Sequence, residues 1–375
     1  LIAIFTVRIP LESFGDPRRH VDFMLRICQL SGQEIARLDQ EALTKLQETK
    51  YGNSVRALKW HLSKAVGGVS IYRLKLIRGE NPVEDACQLL SLLEEMERNQ
   101  VKLIDLVLMI LEYHTPTEEE EKTFLEAAEA GNTSTLETML QLPVDPNGIL
   151  VAPDEAADNM TEVDMSALIL AADRGHLRAV ELLLDAGADF EHVNSFDETP
   201  LYCAAYRNHI EVLRHLILQG AALDRQNRNQ ETALMVAIRQ GHEVAVEALI
   251  QAGAALKPPV LHLAAEHGYL RMVQLLLEGR AEVNGLDDLG RTALHIASEG
   301  SREDFVDVAR VLLQFNADVD AETPDGATPL SLSCLSAFAA HLRGAGPGGS
   351  MARLLRSSGA DVERAALAAG RRVVH

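Results

Sequence analysis

The sequence predicts an α+β chain of more than one domain. A small mixed domain comes first, and an α-solenoid of helix-turn-helix units joined by β-hairpin fingers follows. Three observations carry this prediction. A short unit returns at a near-constant interval through residues 166–300, and a fixed period of this length marks an array whose units bury their apolar faces against their neighbours. Aromatic residues make up only 4% of the chain while apolar residues make up 47%, so small and aliphatic side chains carry the packing. The charge is also split. Residues 1–117 hold 15 Lys+Arg and 15 Asp+Glu, so the whole net charge of −20 falls in the remainder.

The first twenty residues, with Pro10, Gly15, Asp16 and Pro17, read as a leader with one strand at Ile2–Val7. Residues 21–113 change character. Phe23-M-L-R-I-C-Q-L alternates as a half-buried strand does, Ser31-Gly32 signals a turn, and Gln33-E-I-A-R-L answers as a second strand. A helix is expected over Ser54–Val66, with Val55, Leu58, Leu62 and Val66 on one face and Gly67-Gly68 as its stop. Tyr72-R-L-K-L-I and Leu103–Leu111 read as later strands. The order ββαβ, then β, resembles the ubiquitin-like β-grasp fold. Three segments carry the resemblance: L-S-G-Q at Leu30, Y-R-L-K-L-I-R-G at Tyr72 and L-V-L-M-I-L at Leu106. The last strand runs into Glu112-Y-H-T-P with no Gly-Gly. The resemblance therefore implies a fixed module, not a conjugated tag.

Residues 114–122 read as an acidic linker, with Pro116 and four glutamates, Glu118–Glu121. Carboxylates favour a helix N-terminus through its dipole, and that explanation is preferred to an acidic interaction tail.

Residues 123–375 are the array. Thr123-F-L-E-A-A-E-A-G-N opens a degenerate first unit, and a long acidic finger, Gly148–Asp164, follows it. The unit then reads S-A-L-I-L-A-A-D-R-G-H at Ser166, T-P-L-Y-C-A-A-Y-R-N-H at Thr199 and T-A-L-M-V-A-I-R-Q-G-H at Thr232. It returns as P-V-L-H-L-A-A-E-H-G-Y at Pro259 and T-A-L-H-I-A-S-E-G at Thr292. Successive steps are 33, 33, 27 and 33 residues, and the next, to Thr328, is 36. The short step reduces one finger to Leu256-K-P-P, and the long one adds three residues near Ser301–Asp304. The period and the T-P-L-H-x-A core resemble the ankyrin repeat, with about seven repeats in all. Ser166, Thr199, Thr232, Thr292 and Thr328 before their inner helices each supply a capping hydroxyl, and Pro200 and Pro329 sit where a missing N–H costs nothing. The seventh unit, from Thr328, is split by a flexible loop, Gly344-A-G-P-G-G-S.

Candidate chemistry is sparse. His262 and His295 hold the fourth position of T-P-L-H, where the family's histidine fixes the turn near the Thr. His176, His209 and His242 recur with the unit, so they do not converge as metal ligands must. Cys203 lies inside an inner helix, and Cys28, Cys87 and Cys334 are scattered with no C-x-x-C pair. That pattern fits a reducing compartment, cytoplasmic or nuclear. No nucleophile elbow, zinc helix or phosphate loop appears. No catalytic residue, metal or cofactor is therefore expected. The acidic balance argues against nucleic acid and anionic membranes, and no apolar run reaches the ~20 residues of a membrane span.

What remains is a surface. The ankyrin resemblance implies that fingers and inner helices line a groove where partner proteins dock. Carried over by position, the finger candidates are Asn194, Ser195, Phe196 and Asp197, then Arg225, Asn227, Arg228 and Asn229, then Asp287, Asp288 and Leu289. Inner-helix candidates are Tyr202, Tyr206, Arg207, Met235, Arg239, His267 and Glu299. Phe196, Tyr202 and Tyr206 beside Arg207 have the composition of an interface anchor, against the plainer possibility that Phe196 packs on its own hairpin. The expected function is a non-catalytic adaptor or scaffold, monomeric, binding one or more proteins. Its acidity suits a partner with a basic surface, and equally suits plain solvation. The ubiquitin-like segment would link that cargo to ubiquitin-recognising machinery. The alternative is the targeting region of a larger enzyme such as a ligase or kinase, for which the start at Leu1 rather than Met would make this chain a fragment.

Overall fold

The computed structural model describes residues 116–142, 144–147, 165–300, 302–342 and 349–366, preceded by six short strands. It falls into two compact units. One comprises 1–171 with 176–192, and the other 172–175 with 193–375.

The first unit opens with β1 (Ile4–Arg8), β2 (Leu25–Gln29), β3 (Glu34–Leu38), β4 (Leu74–Arg78), β5 (Asn81–Pro82) and β6 (Leu106–Ile110). They form one sheet in the order β3-β2-β1-β6-β4-β5. Every pairing is antiparallel, with Phe5 opposite Gln29 on one side and Leu108 on the other. The expected β-grasp gains no support here. Its helix at 54–66 lies outside the described residues, and a strand from the expected leader stands between β2 and β6. Within the expected leader, where the sequence places one strand at Ile2–Val7, β1 (Ile4–Arg8) pairs on both edges.

Helix α1 (Glu118–Ala130) begins inside the expected linker. Thr117 and Glu120 form a reciprocal cap: the Thr117 N–H donates to Glu120 Oε2 at 2.8 Å and the Glu120 N–H to Thr117 Oγ1 at 3.4 Å. The four glutamates fill the first turn, where the helix dipole favours them. Helix α2 (Thr133–Gln141) is capped by Asn132, and Phe124, Leu136 and Leu140 are fully buried. Helix α3 (Ala167–Arg174) belongs to the next repeat, as does α4 (Leu177–Asp185). The α1–α2 turn needs Gly131. Its φ is +68°, and a Cβ there would sit 2.6 Å from the His176 ring, whose Nε2–H donates to the Glu129 carbonyl at 2.9 Å. The acidic finger 148–164 lies outside the described residues.

The second unit stacks five helix pairs. They are α5 (Pro200–Tyr206) with α6 (Ile210–Leu218), α7 (Ala233–Arg239) with α8 (Glu243–Gln251), α9 (Val260–His267) with α10 (Leu270–Glu278), α11 (Ala293–Glu299) with α12 (Glu303–Gln314), and α13 (Pro329–Leu342) with α14 (Gly349–Ser357). Inner helices pack on inner helices, α5 to α13 in turn, and outer on outer. Ala204, Ala205, Ala237, Ala264, Ala265 and Ala297 have no exposed surface, which lets the backbones approach. Thr199, Thr232 and Thr292 cap their helices through Oγ1, as the sequence implies, while Pro259 supplies no side-chain cap. The 36-residue step is absorbed by α12, which runs 12 residues where its sister outer helices run 9.

The fingers differ from expectation. Among the described residues of the array they contain no β-strands. The fingers at 194–198, 227–231 and 287–291 are each a tight turn closed by one side chain. Asn194 Oδ1 accepts from the N–H groups of Phe196 (2.9 Å) and Glu198 (3.0 Å). Asn227 Oδ1 accepts from Asn229 and Glu231, both at 2.9 Å. Asp287 Oδ1 accepts from Leu289 (3.0 Å) and Arg291 (2.8 Å). The fourth residue of each turn is left-handed: Asp197 at φ 60°, Gln230 at 61°, Gly290 at 72°. A self-sufficient side-chain turn of this kind leaves no ladder to extend. A second set of side chains ties repeats together. Asp224 Oδ1 accepts from the Ala255 N–H, Asn284 Oδ1 from Asp318 and Asp320 Oδ1 from Asp361, each at 2.8 Å.

Candidate protein-binding surface

All eighteen candidate residues lie in the second unit, and they separate into structural and exposed groups. Asn194, Asn227 and Asp287 spend their acceptor oxygens inside their own turns. Asn194 and Asn227 are buried as well. Asp287 also receives the Arg291 Nε–H on Oδ2 at 2.9 Å. Burial opposes ionisation there, but the hydrogen bonds and charge of Arg291 outweigh it and hold the carboxyl below its usual range. These three shape the fingers and offer little to a partner.

Tyr202 corrects a stronger expectation. It is 7% exposed, not an open aromatic. Its position on α5 turns the hydroxyl toward Glu231, to which it donates at 3.1 Å. Glu231 is buried in turn and pairs with Arg239. Burial, reinforced by the Glu231 carboxylate, pushes the Tyr202 hydroxyl well above its ordinary range. The triad joins one inner helix to the end of the next finger and to the following inner helix. Arg239 is thus committed to an internal ion pair, and Met235, beside it on α7, is half-buried.

The exposed group is smaller. Phe196 is 45% exposed at its fingertip and Tyr206 40% at the end of α5. Arg207 lies over the Tyr206 ring, 5.1 Å from its centroid, while its Nε–H donates to Asp173 Oδ1 at 2.9 Å. That bond fixes the guanidinium, so cation and ring present one preorganised face. Arg228 and Asp197 form an open ion pair at 3.4 Å between neighbouring fingers. Ser195 is half-buried, and Arg225, Asn229 and Asp288 are exposed. Leu289 is 65% exposed. Of the two further inner-helix positions, His267 stacks on Tyr269 with centroids 5.3 Å apart, and Glu299 takes Arg291 at 3.6 Å.

Glu231, Asp173 and Leu286, which is 57% exposed, were not singled out from sequence. A signal existed for the first: Glu198 and Glu231 stand 33 residues apart at the ends of successive fingers. Asn194 and Asn227, nominated as contact residues, stand at the same 33-residue spacing and serve as turn formers.

The histidines are structural. Nε2–H of His209 donates to the Asp173 carbonyl and that of His242 to the Tyr206 carbonyl, both at 2.9 Å. The Cys203 thiol is raised by burial, which keeps it protonated and unreactive. Among the described residues no cluster of three or more His, Cys, Asp or Glu is arranged to hold a metal. No described helix is long and apolar enough to cross a membrane.

Comparison with known proteins agrees with the repeat geometry. The profile of the family "Ankyrin repeats (3 copies)" matches residues 168–259 and 261–365. Human protein phosphatase 1 regulatory subunit 27 is 41% identical over 73 residues, 19% of this chain and 45% of that protein. The ankyrin repeat and KH domain-containing protein mask-1 of Caenorhabditis elegans is 34% identical over 89 residues, 24% of this chain and 3% of that protein. The chain therefore spans less than half the length of either. The human ASB11 ankyrin repeat domain superposes with a TM-score of 0.49 and 23% identity, covering 64% of this chain and 98% of that one.

Proposed function

The chain belongs to the ankyrin-repeat family, and from that premise we propose that it is a non-catalytic adaptor whose second unit grips a partner protein. The observation that carries this is the Tyr206–Arg207 face. A half-exposed aromatic ring and a cation are held together by Asp173, and nothing in the fold requires that ring to be open. Phe196 adds a second exposed aromatic at a fingertip. Rigid aromatic and arginine anchors concentrate binding energy at protein interfaces. The relatives' names include a protein phosphatase regulatory subunit, which supports the same reading. The sheet of the first unit lends no support to a link with ubiquitin-recognising machinery, and none is proposed.

The test is a pull-down with the full chain beside a Phe196→Ala, Tyr206→Ala, Arg207→Ala triple variant whose fold is checked by circular dichroism. The adaptor reading expects a saturable partner retained by the parent and lost by the variant. A partner held equally by both would remove this face from the function. No saturable partner at all would remove the adaptor.

A further inference from the structure

Resting on that reading, we propose that the place of the missing finger is a slot for a partner's own turn or hairpin. That turn presents a backbone carbonyl and a lysine or arginine to Asp288, and an apolar side chain to Leu286 and Leu289. The argument begins with how neighbouring fingers meet. Between the two complete adjacent fingers, the Arg228 N–H donates to the Phe196 carbonyl at 3.0 Å, and the Arg228 guanidinium pairs with Asp197 at 3.4 Å. The finger of 287–291 meets its follower too: a Cβ on Gly290 would lie 2.6 Å from Pro324.

On its other side there is no complete finger to meet, and the contact there is Pro258, whose Cγ would lie 2.7 Å from a Cβ on Gly285. The 27-residue step leaves eight residues, 252–259, between α8 and α9. Asp288 stands where Arg228 stands in its own finger, one residue after the turn-closing side chain. Its N–H is the equivalent donor, and it makes no backbone hydrogen bond among the described residues. Its exposed carboxylate calls for the opposite charge from the Asp197 that serves Arg228. Leu286 and Leu289, at 57% and 65% exposed, flank this donor on a turn already locked by Asp287, so binding them costs little ordering.

A further mark of incompleteness lies beside the shortened finger. His262 is 4% exposed, and its Nδ1 has no partner. The equivalent atom of His295 accepts from the Thr292 N–H and hydroxyl, neither of which Pro259 has.

The experiment uses the full chain and a short disulfide-closed hairpin peptide with Leu-Arg at its turn, read by fluorescence anisotropy. Control peptides carry Ser for Leu and Glu for Arg. One protein variant is Asp288→Lys. Another restores the 33-residue period with a six-residue insertion after Lys257, six being the shortfall from 33 to 27. The slot expects the Leu-Arg hairpin to bind at least about tenfold tighter than either control. It expects the insertion to abolish binding and Asp288→Lys to transfer preference to the Glu peptide. Urea midpoints of both variants near the parent's certify their folds. Equal affinity for all peptides, or unchanged binding by the insertion variant, overturns the slot. Partner capture that is lost in the Phe196, Tyr206, Arg207 variant but kept in the insertion variant overturns the slot while leaving the adaptor standing.

Discussion

His295 and Thr292 satisfy each other across one helical turn. The Thr292 N–H donates to His295 Nδ1 at 3.1 Å, and the ring's Nε2–H reaches the Ala327 carbonyl of the following finger at 3.2 Å. One neutral imidazole thus closes a helix start and anchors a finger. His262 makes the second contact only, to the Arg291 carbonyl at 3.0 Å. The two histidines share a sequence position and differ in what they hold.

His295→Leu should therefore cost more stability than His262→Leu. The first strands a buried N–H and hydroxyl at Thr292, and the second strands no group beyond one carbonyl. An unsatisfied buried donor costs roughly 1–3 kcal/mol, so the two substitutions should differ by about that amount in urea unfolding. Equal losses would mean the Thr292 contact contributes nothing.

Both histidines predict a pH dependence. Burial lowers each below the ordinary value of 6.5. The folded state thus binds fewer protons than the unfolded one, and stability is present above pH 6.5 and falls as pH drops below it. Urea midpoints taken downward from pH 7.5 should show that fall, and the double variant His262→Leu, His295→Leu should flatten it. An unchanged slope in the double variant would assign the effect to other groups.

Arg239→Ala should destabilise the fold by roughly 1–3 kcal/mol, less than for a fully enclosed ion pair because Arg239 is about half exposed. It leaves the buried Glu231 carboxylate with only the Tyr202 hydroxyl. The double variant Arg239→Ala, Glu231→Gln should recover part of the loss. No recovery would show that the charge of Glu231 is not what Arg239 offsets.

Turn formers and contact residues should separate cleanly. Asn194→Ala and Asn227→Ala each remove two backbone hydrogen bonds and should cost about 1–2 kcal/mol. Phe196→Ala and Leu289→Ala should stay within about 0.5 kcal/mol of the parent, as open surface changes do, yet weaken partner capture. Thermal melts beside the pull-down measure both.

The repeat was legible because its causes are local. Thr199, Thr232 and Thr292 announce helix starts, and paired alanines such as Ala204-Ala205 announce close packing. The long step before Thr328, whose three extra residues the sequence places near Ser301–Asp304, became a longer helix, α12, over Glu303–Gln314. The site was less legible. Whether Tyr202 is open or buried depends on Glu231, 29 residues away. Alternation likewise marks strands but not their neighbours, so the strand at Ile4–Arg8 read as part of a leader although it pairs on both edges.

The shortened segment 256–259 also bears on mechanics. Lys257 takes the repeat position that Asp224, Asn284 and Asp320 hold elsewhere, and a lysine has no acceptor for the next repeat's N–H. The finger contact at the same joint is reduced to Pro258 against Gly285. Helix packing, the nearness of Leu256 to Gly279 and an open Arg271–Glu243 pair at 3.6 Å hold it instead. In a one-dimensional stack the weakest joint sets where cooperativity breaks. Under tension or mild denaturant the array should part here first, into a block ending near Ala255 and another beginning near Val260.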